Sequence, residues 1–298
     1  MKKYIIFLFV LTAFQSIKAQ QEPQFTQNNG HDAFILNPAT VGSNPKQLLR
    51  FFVRQNWAFF KDSPLTLGLS YQSLLKERHG LGALVYMDKF GPFQIFGAKA
   101  SYAFHIPITK KSKLSLGLSA KFYQSSIRTE DLILINNNDQ SIDMAQARGT
   151  ATTADAEFGI YYYSPRFYAG ISTSNLIQSK LNFSGVNDAR LFRHYFAVLG
   201  AKIPVKGDDF AIEPFLNFRV INTLQPQLDA GLQFNIYKEQ LKAGLLYRTS
   251  GYASIYFAAS YSDNFLVSFS IDFIVNGLAR YGALNYESVL GYNFPALK

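Results

Sequence analysis

Period-two alternation of polar and apolar side chains constrains this chain more than any other feature. Across residues 225–236, Gln225, Gln227, Asp229, Gly231, Gln233 and Asn235 fall on one side; Pro226, Leu228, Ala230, Leu232, Phe234 and Ile236 fall on the other. Successive strand residues point to opposite faces, so one face meets water and the other meets lipid or a core. The segment 113–123 repeats the pattern, with Leu114, Leu116, Leu118, Ala120 and Phe122 against Lys113, Ser115, Gly117, Ser119, Lys121 and Tyr123. So does 95–106, with Phe96, Ala98, Ala100, Tyr102, Phe104 and Ile106 against Lys99, Ser101 and His105. Continuing along the chain gives about 14 strand candidates, many near the ~9–11 residues that a tilted membrane strand requires. They lie at 49–59, 65–75, 81–87, 95–106, 113–127, 154–163, 166–173, 193–203, 209–220, 226–236, 239–249, 252–261, 264–273 and 284–294. An even number returns both ends of the sheet to one side of a membrane.

The N-terminus sets the compartment. Lys2 and Lys3 precede the apolar run Tyr4 to Phe14, and Ser16-Ile17-Lys18-Ala19 follows. A basic start, a short apolar run and a small residue at the cut read as a signal peptide ending at Ala19. The run is too short for a helical span of about 20 residues, and no later apolar run reaches 18, so a helical membrane protein is excluded. Phe (28) and Tyr (18) are abundant, and charged residues make up 16 %, below the roughly 25 % of a soluble domain. The chain has no cysteine, which excludes disulfides and thiolate metal sites. Lys2, Lys3 and Lys18 would leave with the signal, bringing the formal charge from +9 to +6. Solvated turns and an anionic membrane surface explain that balance better than nucleic acid, which an exported protein rarely meets. The expected architecture is an all-β, antiparallel, up-and-down transmembrane barrel in the outer membrane. It comprises a signal peptide (1–19), an N-terminal periplasmic or lumen segment (20–48) and a barrel (49–298).

The connections sort by length. With the N-terminus periplasmic, the connections at 76–80, 107–112, 164–165, 204–208, 237–238 and 262–263 face the periplasm and are short. Those at 60–64, 88–94, 128–153, 174–192, 221–225, 250–251 and 274–283 face outward and include every long one. Short periplasmic turns and longer outer loops are the asymmetry of outer-membrane barrels. The polar faces carry Arg50, Arg54, Lys99, Lys121, Asp155, Glu157, Glu213, Arg219, Asp229, Lys242, Arg248, Asp272 and Glu287. Both signs are present, which favours a lumen braced by ion pairs over a selective pore lined by one sign.

Enzyme signatures are absent: there is no G-x-S-x-G, H-E-x-x-H or G-x-x-x-x-G-K. Two S-x-x-K spacings, Ser43 to Lys46 and Ser73 to Lys76, lack the helix that would stack the two side chains. His31, His79, His105 and His194 lie on different segments without metal-ligand spacing. The loop residues Asn136, Asn137, Asn138, Asp139 and Asp143 lack the ordered spacing of a calcium loop. A barrel phospholipase would need a Ser/His pair, and neither strand histidine has an assignable partner. No catalytic, cofactor-binding or metal-binding residue is expected.

A series of short segments carries a family resemblance. It opens with Gln21-Glu22-Pro23-Gln24-Phe25-Thr26-Gln27, then Leu36-Asn37-Pro38-Ala39-Thr40-Val41-Gly42. Arg54-Gln55-Asn56-Trp57, Ser63-Pro64-Leu65-Thr66, Gly80-Leu81-Gly82 and Asp88-Lys89-Phe90-Gly91-Pro92-Phe93 follow, and Leu290-Gly291-Tyr292-Asn293-Phe294 closes it. In this order the segments resemble the PorP/SprF family of Bacteroidota outer-membrane proteins. Glu22 replaces that family's usual Asp, Asn56 is inserted between Gln55 and Trp57, and Pro295 to Lys298 extend past the terminal aromatic. The resemblance implies a non-enzymatic part in the type IX secretion system and, in some members, gliding motility. It implies a secreted surface protein, such as a large adhesin, as partner, or a periplasmic OmpA-like, peptidoglycan-binding subunit; it assigns no partner-binding residue. The alternative is a passive porin or small-molecule transporter. Locally, Asn37-Pro38 favours an extended or turn path into the first strand, Trp57 fits an interfacial aromatic belt, and Gly91-Pro92 fits a tight outer turn.

Overall fold

In the computed structural model the chain is an antiparallel barrel, described over residues 32–128, 149–182, 189–207, 209–221, 225–262, 264–276 and 284–297. The signal-peptide reading, His31 and the oxygen-rich stretch 136–143 lie outside the described residues. Two short 3-10 turns, Ala33–Ile35 and Pro38–Thr40, precede the strands. The strands are β1 (Gln47–Gln55), β2 (Leu65–Leu75), β3 (His79–Phe90), β4 (Phe93–Pro107), β5 (Lys113–Ile127), β6 (Thr150–Tyr163), β7 (Phe167–Ser174) and β8 (His194–Ala201). They continue as β9 (Ile203–Lys206), β10 (Phe210–Ile221), β11 (Gln227–Ile236), β12 (Leu241–Arg248), β13 (Tyr252–Tyr261), β14 (Phe265–Ile274) and β15 (Leu284–Phe294). β8 and β9 are two halves of one stave, because both pair with β10. The wall therefore has 14 staves. β1 closes it against β15, from Gln47 opposite Phe294 to Gln55 opposite Tyr286. Closure leaves no lateral sheet edge, which a strand in lipid requires.

The faces are inverted relative to a soluble protein. Among the described residues, more polar than apolar side chains are buried, including Arg50, Arg54, Lys99, Asp155, Glu157, Asp229, Arg248, Asp272 and Glu287. The alternate positions, such as Phe51, Leu69, Val85, Leu118, Phe158, Ile171, Leu245, Phe257, Phe269 and Leu290, are exposed apolar residues. An apolar belt this extensive meets hydrocarbon, not water.

Two details depart from the sequence reading. β1 ends at Gln55, not at residue 59, because Trp57 adopts φ 53°. The turn there is held by Asn56, whose backbone N–H donates to Pro64 O and whose Oδ1 accepts from Arg54 Nε. The segment 204–206, expected to turn, belongs to strand β9, and the break falls at Lys202, inside the expected strand 193–203. Glu239, in the β11–β12 turn, pairs with Lys202 and with Lys242 (3.3 Å). The turns β2–β3, β11–β12 and β13–β14 are short, and Lys76 (47°), Glu77 (60°), Lys238 (55°) and Ser262 (50°) take positive φ. Gly91 (φ 53°) and Pro92 form the tight outer turn between β3 and β4.

Register is fixed partly by glycine–aromatic pairs. Gly68 lies opposite Phe52, Gly97 opposite Tyr86, Gly200 opposite Tyr168, Gly231 opposite Phe215 and Gly244 opposite Tyr256. In each pair the ring lies over the glycine and fills the space a Cβ would need. A one-residue slip would drive the ring into a side chain, so these pairs pin the ladder.

Arg54 joins β1 to its neighbour β15 and to β14 beyond it, bonding Asp272 at 2.6 Å and Glu287 at 3.0 Å with every partner almost fully buried. Arg54→Met should therefore cost about 3–5 kcal/mol, because it strands two buried carboxylates. Cutting the half-exposed Lys202–Glu239 pair by Lys202→Ala should cost under about 1 kcal/mol. Urea midpoints of the two variants, followed by heat-modifiable gel migration, test that contrast.

Candidate functional site in the barrel lumen

Residues 32–46 lie within the barrel as a plug against the β2–β7 side of the wall, and the local sequence explains its shape. Asn37 precedes proline and so is extended, at φ −134° and ψ 110°. Pro38 opens the second 3-10 turn, where its missing N–H costs nothing. Asn37 Oδ1 caps that turn by accepting from Ala39 N (2.9 Å), and Thr40 Oγ1 donates to Asn37 O (2.8 Å). The same Asn37 side chain reaches the wall: Nδ2 donates to Ile160 O on β6 (3.2 Å) and Ile171 O on β7 (3.3 Å). The chain reverses at Gly42, whose φ of 76° favours glycine.

The wall is cut back to receive the plug. A Cβ at Gly117 would overlap Ala39 and Pro38, one at Gly159 would overlap Asn37 Oδ1, and one at Gly80 would overlap Val41 O. Gly82 leaves room for Val41 and the Phe34 ring. Phe34 and Val41, both fully buried, pack with Phe52, Leu84, Ala103 and Val289 as a small apolar core inside an otherwise polar lumen.

Polar contacts hold the rest. Lys99 Nζ donates to Phe34 O (3.1 Å) and Ile35 O (2.8 Å) at the end of the first 3-10 turn and pairs with Glu157 (3.0 Å). It also lies 4.7 Å from the centre of the Phe34 ring. Lys121 completes the cluster at 3.1 Å from Glu157. His105 Nε2 donates to Val41 O (2.8 Å), and Tyr163 OH lies 2.9 Å from Nδ1. Ser172 Oγ donates to Leu36 O (2.8 Å), and Gly42 N donates to Gln72 Oε1 (3.2 Å). Asp32 accepts from Ser70 Oγ and from Gln72 Nε2 (2.7 Å). Burial raises the Asp32 carboxyl from 3.8 to about 6, against the opposing pull of the Ser70 hydrogen bond and of Arg50, Lys99 and Gln72.

The sequence placed the charges on the inner faces but not what they hold. Lys99, read as one of the charges bracing the lumen, and His105, read as a strand histidine without an assignable partner, are anchors of the plug, and Asn37-Pro38 forms a capped turn as well as an extended step. His79 is in contact with Tyr102 (Nδ1 to OH, 2.7 Å). Ser73 is buried beside the plug and Lys76 lies in an exposed turn. Among the described residues no group of His, Asp and Glu is placed to hold a metal ion.

Across the lumen Arg248 grips Asp229 through Nε (2.9 Å) and Nη2 (3.0 Å). Between this wall and the plug lies a cavity of about 240 Å³, bordered by Asp32, Leu36, Tyr168, Glu213, Asn217 and Arg248 among others.

Comparison with known proteins adds the following. The model of a family described as "Type IX secretion system membrane protein PorP/SprF" matches residues 17–292. No curated protein matches the chain in sequence. Among solved structures the chain is similar to the Ralstonia pickettii toluene transporter TbuX, at 9 % identity and TM-score 0.52, covering 89 % of this chain and 93 % of that one. It is similar to the Pseudomonas putida toluene transporter TodX, at 10 % identity and TM-score 0.55, covering 88 % and 93 %. It is also similar to the monoaromatic hydrocarbon channel CymD, at 13 % identity and TM-score 0.51, covering 89 % and 92 %. At these identities the likeness is one of fold, and these barrels together with the family match place the chain in the outer membrane.

Two outcomes follow from the plug's anchors. Gly117→Val should dislodge the plug by overlap with Ala39, and planar-bilayer recordings should show openings that the parent barrel lacks. Because docking raises the Asp32 pKa above 3.8, the docked state favours the protonated carboxyl. Docking should thus be firmest below about pH 4 and should lose up to about 3 kcal/mol as pH rises through 6. Hydrogen exchange of amides 33–41, corrected for intrinsic pH dependence, reads this, and Asp32→Asn should flatten it.

Proposed function

We propose that this chain, which belongs to the PorP/SprF family of type IX secretion system membrane proteins, is a non-enzymatic outer-membrane barrel that assists the secretion or surface anchoring of a partner protein. The partner class is a secreted surface protein such as a large adhesin, with a part in gliding motility. The observation that carries this reading is the plug. A lumen occupied by the chain's own segment 32–46, bonded to β2, β4, β6 and β7, is poorly suited to conducting a polypeptide and directs function to the two ends of the barrel.

Both ends offer surfaces. At the outer end, the β7–β8 loop is built on Asp155, whose carboxylate accepts from Ile177 N and Ser179 N, each at 2.9 Å. Asn175 Nδ2 ties the two arms of the loop through Phe192 O (2.8 Å), and Ile177 is left exposed. The described arms of this loop, 175–182 and 189–193, are already held in place, so docking a partner on the exposed Ile177 would cost little ordering. At the periplasmic end, Lys76, Arg78, Lys110 and Lys111 are exposed on neighbouring turns, and Lys113 Nζ ties those turns together through Glu77 O (3.3 Å). That face would suit an acidic patch on a periplasmic partner, such as an OmpA-like, peptidoglycan-binding subunit.

A second reading, a passive small-molecule transporter, is favoured by the cavity beside the plug and by the fold shared with toluene transporters. One experiment separates the two. The tagged full-length protein is solubilised gently from outer membranes and its companions are identified. Recovery of a large surface protein or secretion subunits in stoichiometric amounts is the expected result. Recovery of the barrel alone, together with single-channel conductance of the parent protein, would instead establish the transporter.

A further inference from the structure

We infer that the cavity between the plug and the β8–β12 wall is a binding site for a short zwitterionic peptide. Its amino end lies toward Glu213 and its carboxylate toward Asn217 and Arg248. The inference is independent of the secretion role.

The acidic end comes from β10. Glu213 accepts from Tyr168 OH (3.0 Å), Gln233 Nε2 (3.2 Å) and Asn235 Nδ2 (3.0 Å). Every donor is neutral, and among the described residues no cation reaches ion-pair distance of Glu213. A carboxylate has about four acceptor sites, so one remains for a further donor, and a cationic one would also compensate the charge. Asp32 adds a second carboxylate to the cavity's lining, on the plug side.

The basic end lies four residues further along β10. Asn217 Nδ2 is buried and has no partner, and neither has Arg248 Nη1, although the other two nitrogens of Arg248 grip Asp229. Arg248 is 2 % exposed and borders the cavity, so water in bulk does not satisfy it. Two buried donors without an acceptor, beside space, call for an acceptor such as a carboxylate.

Register sets the spacing. Asn217, Asp229 and Arg248 form one row across β10, β11 and β12, while Glu213 and Gln233 form another. Both rows face the lumen, because their positions differ by an even number of residues. At about 3.4 Å per residue the rows are about 14 Å apart, and the long Glu and Arg side chains shorten the gap. An extended peptide of about three residues, spanning roughly 10 Å, bridges what is left. Leu36 of the plug and Tyr168 and Phe196 of the wall offer apolar contact between the ends.

The test uses the full-length barrel in detergent and calorimetric titration with trialanine, N-acetyl-trialanine and trialanine amide. Free trialanine should bind, and each capped form should bind at least tenfold more weakly. Glu213→Gln should abolish the discrimination against the acetylated peptide, and Asn217→Leu should reduce the discrimination against the amide. Absence of binding by trialanine at millimolar concentration would overturn the inference and leave a water-filled cavity. Equal binding of free and capped peptides would overturn it as well, and that comparison needs only the parent protein should a variant fail to fold.

Discussion

A strand that presents apolar side chains to lipid must turn its alternate side chains inward. A wall of 14 such strands encloses more space than those side chains fill. The inward set here includes buried Arg54, Lys99, Glu157, Asp229, Arg248, Asp272 and Glu287. Each would carry a desolvation penalty if it were unpaired in a partly dry interior. The structure meets this constraint in two ways. Charges of opposite sign are bonded between nearby strands on the lumen face, as in Arg54 of β1 with Glu287 of β15 and Asp272 of β14. Backbone carbonyls are also brought in from the N-terminal segment, as in Lys99 with Phe34 and Ile35. The plug is thus part of how the wall's polar faces are satisfied as well as an obstruction.

That dependence runs both ways. The plug has only two 3-10 turns and cannot hold its shape alone. Its turns are closed by Asn37 on itself and on β6 and β7 together. Its approach is possible only where the wall lacks Cβ atoms, at Gly80, Gly117 and Gly159. Glycine elsewhere in the wall serves a different end, as the floor beneath Phe52, Tyr86, Tyr168, Phe215 and Tyr256. One set admits a foreign segment; the other admits a cross-strand ring and fixes register.

How much of this was legible in the sequence follows from the range of the forces involved. Alternation is local, so 113–127 and 226–236 gave β5 and β11 to within a residue or two. Loop asymmetry is also local and is what the expected orientation rests on. Strand ends were less legible: β1 stops at Gln55 because the Asn56 turn bonds to Pro64 and the positive φ at Trp57 breaks the extended path. The plug was not derivable from period or composition. Asn37 meets Ile160 and Ile171 across more than a hundred residues, and the glycines that seat it look like ordinary strand glycines until the register is known. The family resemblance had nonetheless marked the pieces. Leu36 to Gly42 lies within the plug, Gly80-Leu81-Gly82 is part of its seat, and Arg54 is the hub that ties β1 to β14 and β15.

The shared architecture with toluene transporters shows why lumen chemistry, not wall geometry, must carry functional argument. Chains with 9–10 % identity over nearly 90 % of this one build comparable barrels, because lipid outside and polar satisfaction inside admit few solutions. What a barrel does is then written in the residues that face inward and in the loops at its ends. In this chain the β2–β7 side of the lumen holds the plug, and among the described residues its buried polar side-chain atoms, apart from the hydroxyls of Ser115 and Thr173, are bonded to the plug or to a neighbour. The β8–β12 side is less committed. It keeps a cavity, a carboxylate bonded only by neutral donors, and two buried nitrogen donors without acceptors. Arg248 and Glu213 are bonded in part by the fold, yet each buried donor left without an acceptor costs more than an apolar group in its place would. Their presence together on one face is therefore an argument that this side of the lumen meets something the chain itself does not supply.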